Sequence, residues 1–269
     1  DFDVFGTYNS QKISQFDKLD IQNHEMIEKI ISKIKPDFVV LTAALIRPIT
    51  CEENKTLAWK TNVDSVKKIV EECQKINSKL IFLSSDYVYS GKDSIIEETE
   101  PLNPLNYYGK TKVIVEEYLK NNYQYYTILR TGWNVGISKK NRCVVSLTYE
   151  TLLSEKAKMA FDNSFSITHV EDLAVAMNKI LLNNNHNICH LSSPHTVKRT
   201  ELADFIIKHS KRGKDMKYEK VPFSEIKYTE PRGKLNNLKS QIKFVNEKVF
   251  FRSPYDTTLE KVRFMESLS

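Results

Sequence analysis

The sequence predicts an α/β protein, a parallel, doubly wound sheet joined to a smaller and less regular lobe. Two observations carry this. Over the first half of the chain, short apolar runs of strand length alternate with amphipathic helical stretches. The runs then stop abruptly in small or polar residues (Ala43-Ala44, Ser84-Ser85-Asp86, Arg130-Thr131-Gly132). In such sheets ligands bind beyond the carboxyl ends of the strands, so these stops are candidate site positions.

Taken in chain order, residues 3–8 read as a short strand. Residues 21–34 place Ile27, Ile30, Ile31 and Ile34 at helical spacing, and Pro36 ends that helix. Residues 38–44 are an apolar run predicted to form a strand buried on both faces. Residues 62–77 read as a helix with Val63, Val66, Ile69 and Val70 on one side, and residues 80–85 as a second buried strand. Asn103 and Pro104 are predicted to open the next helix, as N-cap and first helical residue, with the helix running to about Lys120. Residues 125–129 read as a further strand. Beyond Gly136, helices are predicted over 148–153, 170–182 and 200–209, the last capped by Thr200. Residues 214–243 are polar, contain Pro222 and Pro231, and are predicted to be irregular.

Composition narrows the function classes. The 269 residues carry 40 basic and 34 acidic side chains, a net charge of +6, scattered along the chain. The densest basic run, residues 208–214, reads as a solvated helix end and loop. No basic stripe interleaved with aromatics is present, so nucleic acid is not an expected partner, whereas a small anionic substrate suits the charge. The four cysteines (Cys51, Cys73, Cys143, Cys189) form no C-x-x-C pair. A zinc site or disulfide framework is therefore not expected, and a reducing compartment is. No apolar run approaches membrane-spanning length and no secretory signal is visible, so a cytoplasmic protein with no membrane partner is the expectation. Only 7 glycines occur, and none completes a G-x-G-x-x-G.

Tyr108 and Lys112 carry the chemistry. Four residues apart on a predicted helix, they share one face a turn apart. An ammonium near a phenol favours the phenolate and brings proton exchange toward neutral pH. Such a pair can serve as general acid and base for carbonyl–alcohol chemistry. Ser85, at the end of the preceding strand, can hydrogen-bond the same substrate oxygen. A surface tyrosine and lysine are the bland reading of so short a motif, and the strand-end serines upstream weigh against it.

Several ordered segments then carry a family resemblance. Ser84-Ser85-Asp86-Tyr87-Val88-Tyr89-Ser90-Gly91, then Glu97 to Asn103, then Tyr107-Tyr108-Gly109-Lys110-Thr111-Lys112, resemble extended short-chain dehydrogenases. Leu129 to Gly136, Asp162-Asn163 with Thr168, Asp172-Leu173-Ala174 and Pro231-Arg232 through Leu238 are similar to motifs of the dTDP-4-dehydrorhamnose reductase family. The resemblance implies a Rossmann-like fold and reduction of a nucleotide-linked 4-keto-6-deoxy sugar by NADP or NAD. It implies Tyr108 as proton donor to the sugar C4 oxygen, Ser85 as the group orienting that oxygen, and Lys112 on the nicotinamide ribose. It places Asp20 near the adenine, Ala43 and Ala44 under the cofactor backbone, and Asn62 as the helix asparagine. Val135 would border the nicotinamide, and Asp86, Tyr87, Trp133 and Arg232 the sugar nucleotide. Core packing is the alternative for Ala43, Ala44 and Val135, and helix capping for Asp20. Trp133 and Arg130 each read equally as packing or binding, and His169 as structural.

The same resemblance implies a cofactor domain over 1–136 plus about 160–182, and a substrate lobe over about 137–159 and 183–269. Against the family pattern the chain begins at the second strand. Roughly 25–30 residues with the glycine-rich turn would precede it, so a fragment is expected. Ser90, Ile167 and Gly233 stand where Asp, Pro and Pro are usual. The regulatory beta subunit of methionine adenosyltransferase resembles this family too, through Ser84-Ser85 and Pro101 to Lys112. That implies a second reading, a non-catalytic partner of a methionine adenosyltransferase catalytic subunit. A homodimer is a further expectation.

Overall fold

In this computed structural model the described residues are 2–92, 95–138, 142–183 and 187–268; the remainder of the two predicted lobes lies outside them. The chain divides into two compact units. One runs to Ser84 and includes Asn106–Ile128; the other takes Ser85–Leu105 and continues from Leu129 onward.

The first unit opens with β1 (Thr7–Tyr8) and β2 (Asp17–Lys18), a short parallel pair. Then follow α1 (His24–Ile34), β3 (Phe38–Leu41), α2 (Pro48–Glu53), α3 (Lys55–Trp59), a π-helical turn at Lys60–Asp64, and α4 (Ser65–Ile76). β4 (Lys79–Ser85), α5 (Tyr107–Asn122) and β5 (Tyr126–Thr131) complete it, with Ser85 and the last residues of β5 passing into the second unit. β3, β4 and β5 lie in that order in the sheet, β3 and β4 parallel with Leu41 opposite Phe82. α1 begins where the Asn23 side chain accepts from the Met26 N–H at 3.0 Å, and ends where Lys35 turns left-handed at φ 48° just before Pro36. Ile27 and Ile31 of α1 are buried, as are Val66, Ile69 and Val70 of α4, and the two helices pack together. Burial of each such aliphatic side chain contributes roughly 1.5–3 kcal/mol.

The second unit contains β6 (Trp133–Val135), α6 (Val144–Leu152), β7 (Lys158–Ala160), β8 (Ser164–His169), α7 (Val170–Asn183) and β9 (Ile188–His190). It continues through β10 (Thr196–Lys198), α8 (Arg199–His209), β11 (Glu219–Val221), β12 (Leu235–Asn236), α9 (Lys243–Lys248) and α10 (Pro254–Glu266). β8 is its organising strand, paired parallel with β6 and β12 and antiparallel with β10. Phe165 and Ile167 of β8 join Val135, Val145, Leu202, Ile206 and Val262 in one apolar cluster, over which α6, α8 and α10 pack. Just past the end of β9 the Leu191 N–H donates to Arg130 O at 2.9 Å. No helix of the described residues is long and apolar enough to cross a membrane.

The α/β class and parallel sheet stand as predicted; several element boundaries do not. The 38–44 strand stops at Leu41, and Val40 is 41% exposed rather than buried, because β3 is at the edge of the strand order. The 62–77 helix starts as a π turn, in which the Ser65 hydroxyl and N–H both return to Lys60 O. α5 begins at Tyr107, not at Pro104. Asn106 is its cap, accepting from the Gly109 N–H at 3.0 Å, while the Asn103 N–H is spent on Val88 O. The predicted 148–153 helix is α6, which begins at Val144. α8 starts at Arg199, and Glu201 rather than Thr200 secures its first turn by accepting from the Lys198 N–H at 2.9 Å.

Candidate functional site

In the first unit Asn62, Tyr108 and Lys112 are brought together with the chain leaving β3, which carries Ala43 and Ala44, whereas Asp20 lies before α1. Tyr108 and Lys112 are 8% and 4% exposed on the buried face of α5, whose other buried residues include Thr111, Val115, Glu116 and Leu119. Lys112 Nζ donates to Leu83 O at 2.8 Å and sits 4.6 Å from the Phe82 ring centroid and 5.8 Å from that of Tyr108. Burial pushes its ammonium down to about 8, against the opposing pull of Glu116 and Cys51. The group is therefore a cation at neutral pH. Among the described residues one of its three N–H donors is spent, on Leu83 O, and the others suit hydroxyls such as the vicinal diol of a ribose.

Asn62 has a specific task. Its Oδ1 accepts from Leu45 N at 2.8 Å, and its Nδ2 donates to Leu45 O at 3.0 Å and to Thr111 Oγ1 at 3.2 Å. Thr111 Oγ1 in turn donates to Tyr108 O at 2.7 Å. One amide thus ties the segment after β3 to the helix bearing Tyr108. Ala43 is exposed and Ala44 half-buried at the start of that segment, so core packing does not account for Ala43. Small side chains at an exposed strand end allow close approach of a flat or extended ligand. Asn62→Ala is expected to lower stability by about 2 kcal/mol, since the Leu45 N–H loses its partner and Leu45 O keeps only the weak Cys51 S–H donor at 3.3 Å. A urea melt reads this as a lower midpoint at unchanged slope. Asp20 accepts from the Gln22 N–H at 3.0 Å, and Asn23, not Asp20, caps α1.

The predicted substrate residues fall in the second unit. Ser85 donates to Asp86 Oδ1 at 2.9 Å and accepts from Tyr87 N at 3.2 Å. Tyr87, Trp133 and Arg232 line one depression together with Asn163, Phe165, Arg199, Phe223, Tyr228, Gly233 and Asn236. Arg232 is held by Glu230 through Nε at 2.7 Å and also through Nη2, and its guanidinium carbon is 4.7 Å from the Tyr228 ring centroid. Arg199 carries no distinguishing signal in the sequence, where it sits in an ordinary charged helix start. Its guanidinium carbon lies 4.6 Å from the Phe165 ring centroid and Nη1 donates to Thr148 at 2.9 Å. Among the described residues no carboxylate pairs with it, and burial, with the like charge of Arg232, works against its protonated form. Two guanidiniums and one carboxylate among aromatic rings suit a ligand with both a negative charge and a planar or ring group.

Gly91 and Gly233 meet back to back beside this depression. Gly91 holds φ +63°, and a Cβ on Gly233 would lie 2.8 Å from Gly91 Cα and 2.7 Å from Asn236 Oδ1, so a proline in place of Gly233 has no room. Val135 is fully buried in the apolar cluster. Arg130, 1% exposed, is a network residue: it donates to Tyr89 Oη and, at 3.1 Å, to Glu98 O. Tyr89 Oη lies 2.7 Å from His190 Nε2, and His190 Nδ1 is 3.0 Å from Lys239 O. The Lys239 carbonyl can only accept, so Nδ1 carries the proton and Nε2 accepts from Tyr89. His169 is buried at the end of β8, between Glu171 and Glu260. No group of three or more potential metal ligands occurs among the described residues.

A family model described as RmlD substrate binding domain matches residues 3–262. The chain belongs to this family. Among RmlD relatives, dTDP-4-dehydrorhamnose reductase of Aggregatibacter actinomycetemcomitans is 34% identical over 122 residues, 45% of this chain and 42% of the relative. Methionine adenosyltransferase 2 subunit beta of Bos taurus is 28% identical over 169 residues, 62% of this chain and 51% of the relative. The chain thus spans about half the length of these two curated relatives. Among solved structures, a dTDP-4-dehydrorhamnose reductase of Clostridium acetobutylicum superposes with a TM-score of 0.81 at 24% identity, covering 92% of this chain and 88% of that one. A Bacillus anthracis dTDP-4-dehydrorhamnose reductase in complex with NADP gives 0.76 at 24% identity, covering 94% and 89%. These two structures establish the Rossmann-like α/β fold of the RmlD family for this chain.

Proposed function

We propose that this RmlD-family chain carries the reaction centre of an NAD(P)H-dependent reductase acting on a nucleotide-activated 4-keto-6-deoxy sugar. The observation that carries this reading is the buried Lys112 ammonium on the same helix face as Tyr108, anchored on Leu83 O at 2.8 Å. In this reading Tyr108 gives its phenolic proton to the sugar C4 oxygen, and Ser85 orients that oxygen. Lys112 holds ribose hydroxyls and favours the phenolate that remains after the proton has left. Bound NAD(P)H supplies the hydride. Ala43 and Ala44 lie under the cofactor, with Asp20 near the adenine. Val135 acts on the nicotinamide side only as support, since it is enclosed in the core. Residues 1–136 with about 160–182 would serve the cofactor, and the rest the substrate, in a cytoplasmic enzyme.

The depression lined by Tyr87, Trp133, Arg199 and Arg232 supports a nucleoside diphosphate as the carrier of the sugar. Arg199→Met is expected to weaken binding of a nucleoside diphosphate about tenfold or more, the worth of one charge-assisted hydrogen bond. Binding of the uncharged nucleoside should be unchanged, and calorimetric titration of both ligands reads the difference.

A second reading, a regulatory partner of a methionine adenosyltransferase catalytic subunit, is favoured by the longer aligned stretch, 169 residues against 122. Two assays on one preparation separate the readings. NAD(P)H oxidation with a dTDP-4-keto-6-deoxy sugar supports the reductase. No oxidation, together with co-elution and altered kinetics of an added methionine adenosyltransferase catalytic subunit, supports the partner.

A further inference from the structure

The hydroxyl of Ser85 has one proton and two lone pairs. One lone pair takes the Tyr87 N–H at 3.2 Å, and Asp86 Oδ1 lies 2.9 Å away. An ionised carboxylate can only accept, so beside it Ser85 spends its single proton on Asp86 and has none to offer a substrate carbonyl. The surroundings of Asp86 do not suit an ionised carboxylate. It is 3% exposed, and its Oδ2 is a buried atom with no hydrogen-bond partner. A buried, unpaired carboxylate oxygen is costly, and taking up a proton removes most of that cost.

We propose that Asp86 is a positioning residue that works as a neutral acid, donating its O–H to Ser85 Oγ and so freeing the Ser85 proton for the substrate carbonyl oxygen. The inference rests on the reductase reading and adds to it the state of one carboxyl. With Asp86 neutral, Ser85 Oγ accepts from Tyr87 N and from Asp86, and both its lone pairs are used. Its proton then has one remaining direction, toward the ligand. Burial pushes the Asp86 carboxyl up to about 7, over the opposing hydrogen bonds from Ser85 and the backbone. No charged side chain contributes to that shift. The charged and titratable groups nearby, Arg232, Glu230 and Tyr228, face Tyr87, the next residue. The raised value means that the neutral, working form dominates below about 7 and is lost as the pH rises through it.

The test compares wild type with Asp86→Asn and Asp86→Ala in the full chain, each checked for an unchanged melting profile. Asn presents a permanent N–H donor to Ser85 Oγ and Ala presents nothing. Wild-type kcat should fall as the pH passes about 7. Asp86→Asn should keep most of the activity and move that fall up to about 8, where Lys112 loses its proton. Asp86→Ala should run about tenfold below wild type under pH 7, the equivalent of one hydrogen bond of about 1.4 kcal/mol, and the gap should close as the wild-type carboxyl ionises above it. Equal losses in Asn and Ala, or a wild-type kcat that rises through pH 7, would overturn the proposal. Difference infrared spectroscopy gives an answer independent of turnover. A protonated-carboxyl band that titrates near 7 and disappears in Asp86→Asn supports the proposal, and its absence sinks it while leaving the reductase reading in place. A titrating band in a protein that reduces no sugar counts against the reductase reading alone.

Discussion

Tyr108→Phe is expected to lower kcat for ketone reduction by roughly 10²–10⁴-fold, the usual contribution of a positioned general acid. The substitution keeps the ring, which is 8% exposed on α5, and removes only the hydroxyl. Packing and the melting profile should therefore change little, while the proton for the C4 oxygen is gone. The pH profile carries a second signature. Lys112 is a cation below about 8 and loses its charge above it. Its support for the phenolate is thus present at neutral pH and disappears as the pH rises through 8. Asp86→Asn isolates this limb, and adding Lys112→Met to that variant should abolish the limb together with most of the activity. Stopped-flow or steady-state absorbance of NADPH reads both effects.

Arg130→Met is expected to cost about 3 kcal/mol of stability. The guanidinium is 1% exposed and donates to Tyr89 Oη and Glu98 O, while the Glu98 carboxylate accepts from His190 N at 2.9 Å and Gln241 N at 2.7 Å. One side chain therefore joins β5 to segments far apart in the chain. Methionine fills much of the volume but supplies no donor, and a buried donor lost without replacement leaves its acceptors unsatisfied. For a protein of this size the melting temperature should drop by roughly 6–12 °C in calorimetry. A drop of less than a degree or two would mean that solvent reaches the network.

Much of the first unit was legible because its code is local. Isoleucines at helical spacing gave α1, an apolar run gave β4, and the i, i+4 spacing of Tyr108 and Lys112 put both on one buried helix face. What could not be read depends on partners distant in sequence. Asn103 and Asn106 are both good helix caps on paper; Asn106 is the one whose Oδ1 accepts from the Gly109 N–H, while the Asn103 N–H ties the preceding segment to Val88 O. Val40 looks like a core residue until the strand order puts β3 at an edge. Arg199 looks like a surface cation, and only the fold of residues 163–236 brings it beside Arg232, Tyr228 and Phe165. The family resemblance makes Asp86 a contact to the sugar, but its burial and unpaired oxygen exist only in three dimensions.

The central claim is that Tyr108 and Lys112 serve hydride reduction of a sugar ketone. The most direct measurement follows deuterium from NADPH labelled at the transferable position into a dTDP-4-keto-6-deoxy sugar, detected by mass spectrometry. The account predicts one deuterium at C4 of the product with the wild-type chain and almost none with Tyr108→Phe. Transfer that persists undiminished in Tyr108→Phe, or NADPH oxidised with no deuterium in the sugar, would contradict it.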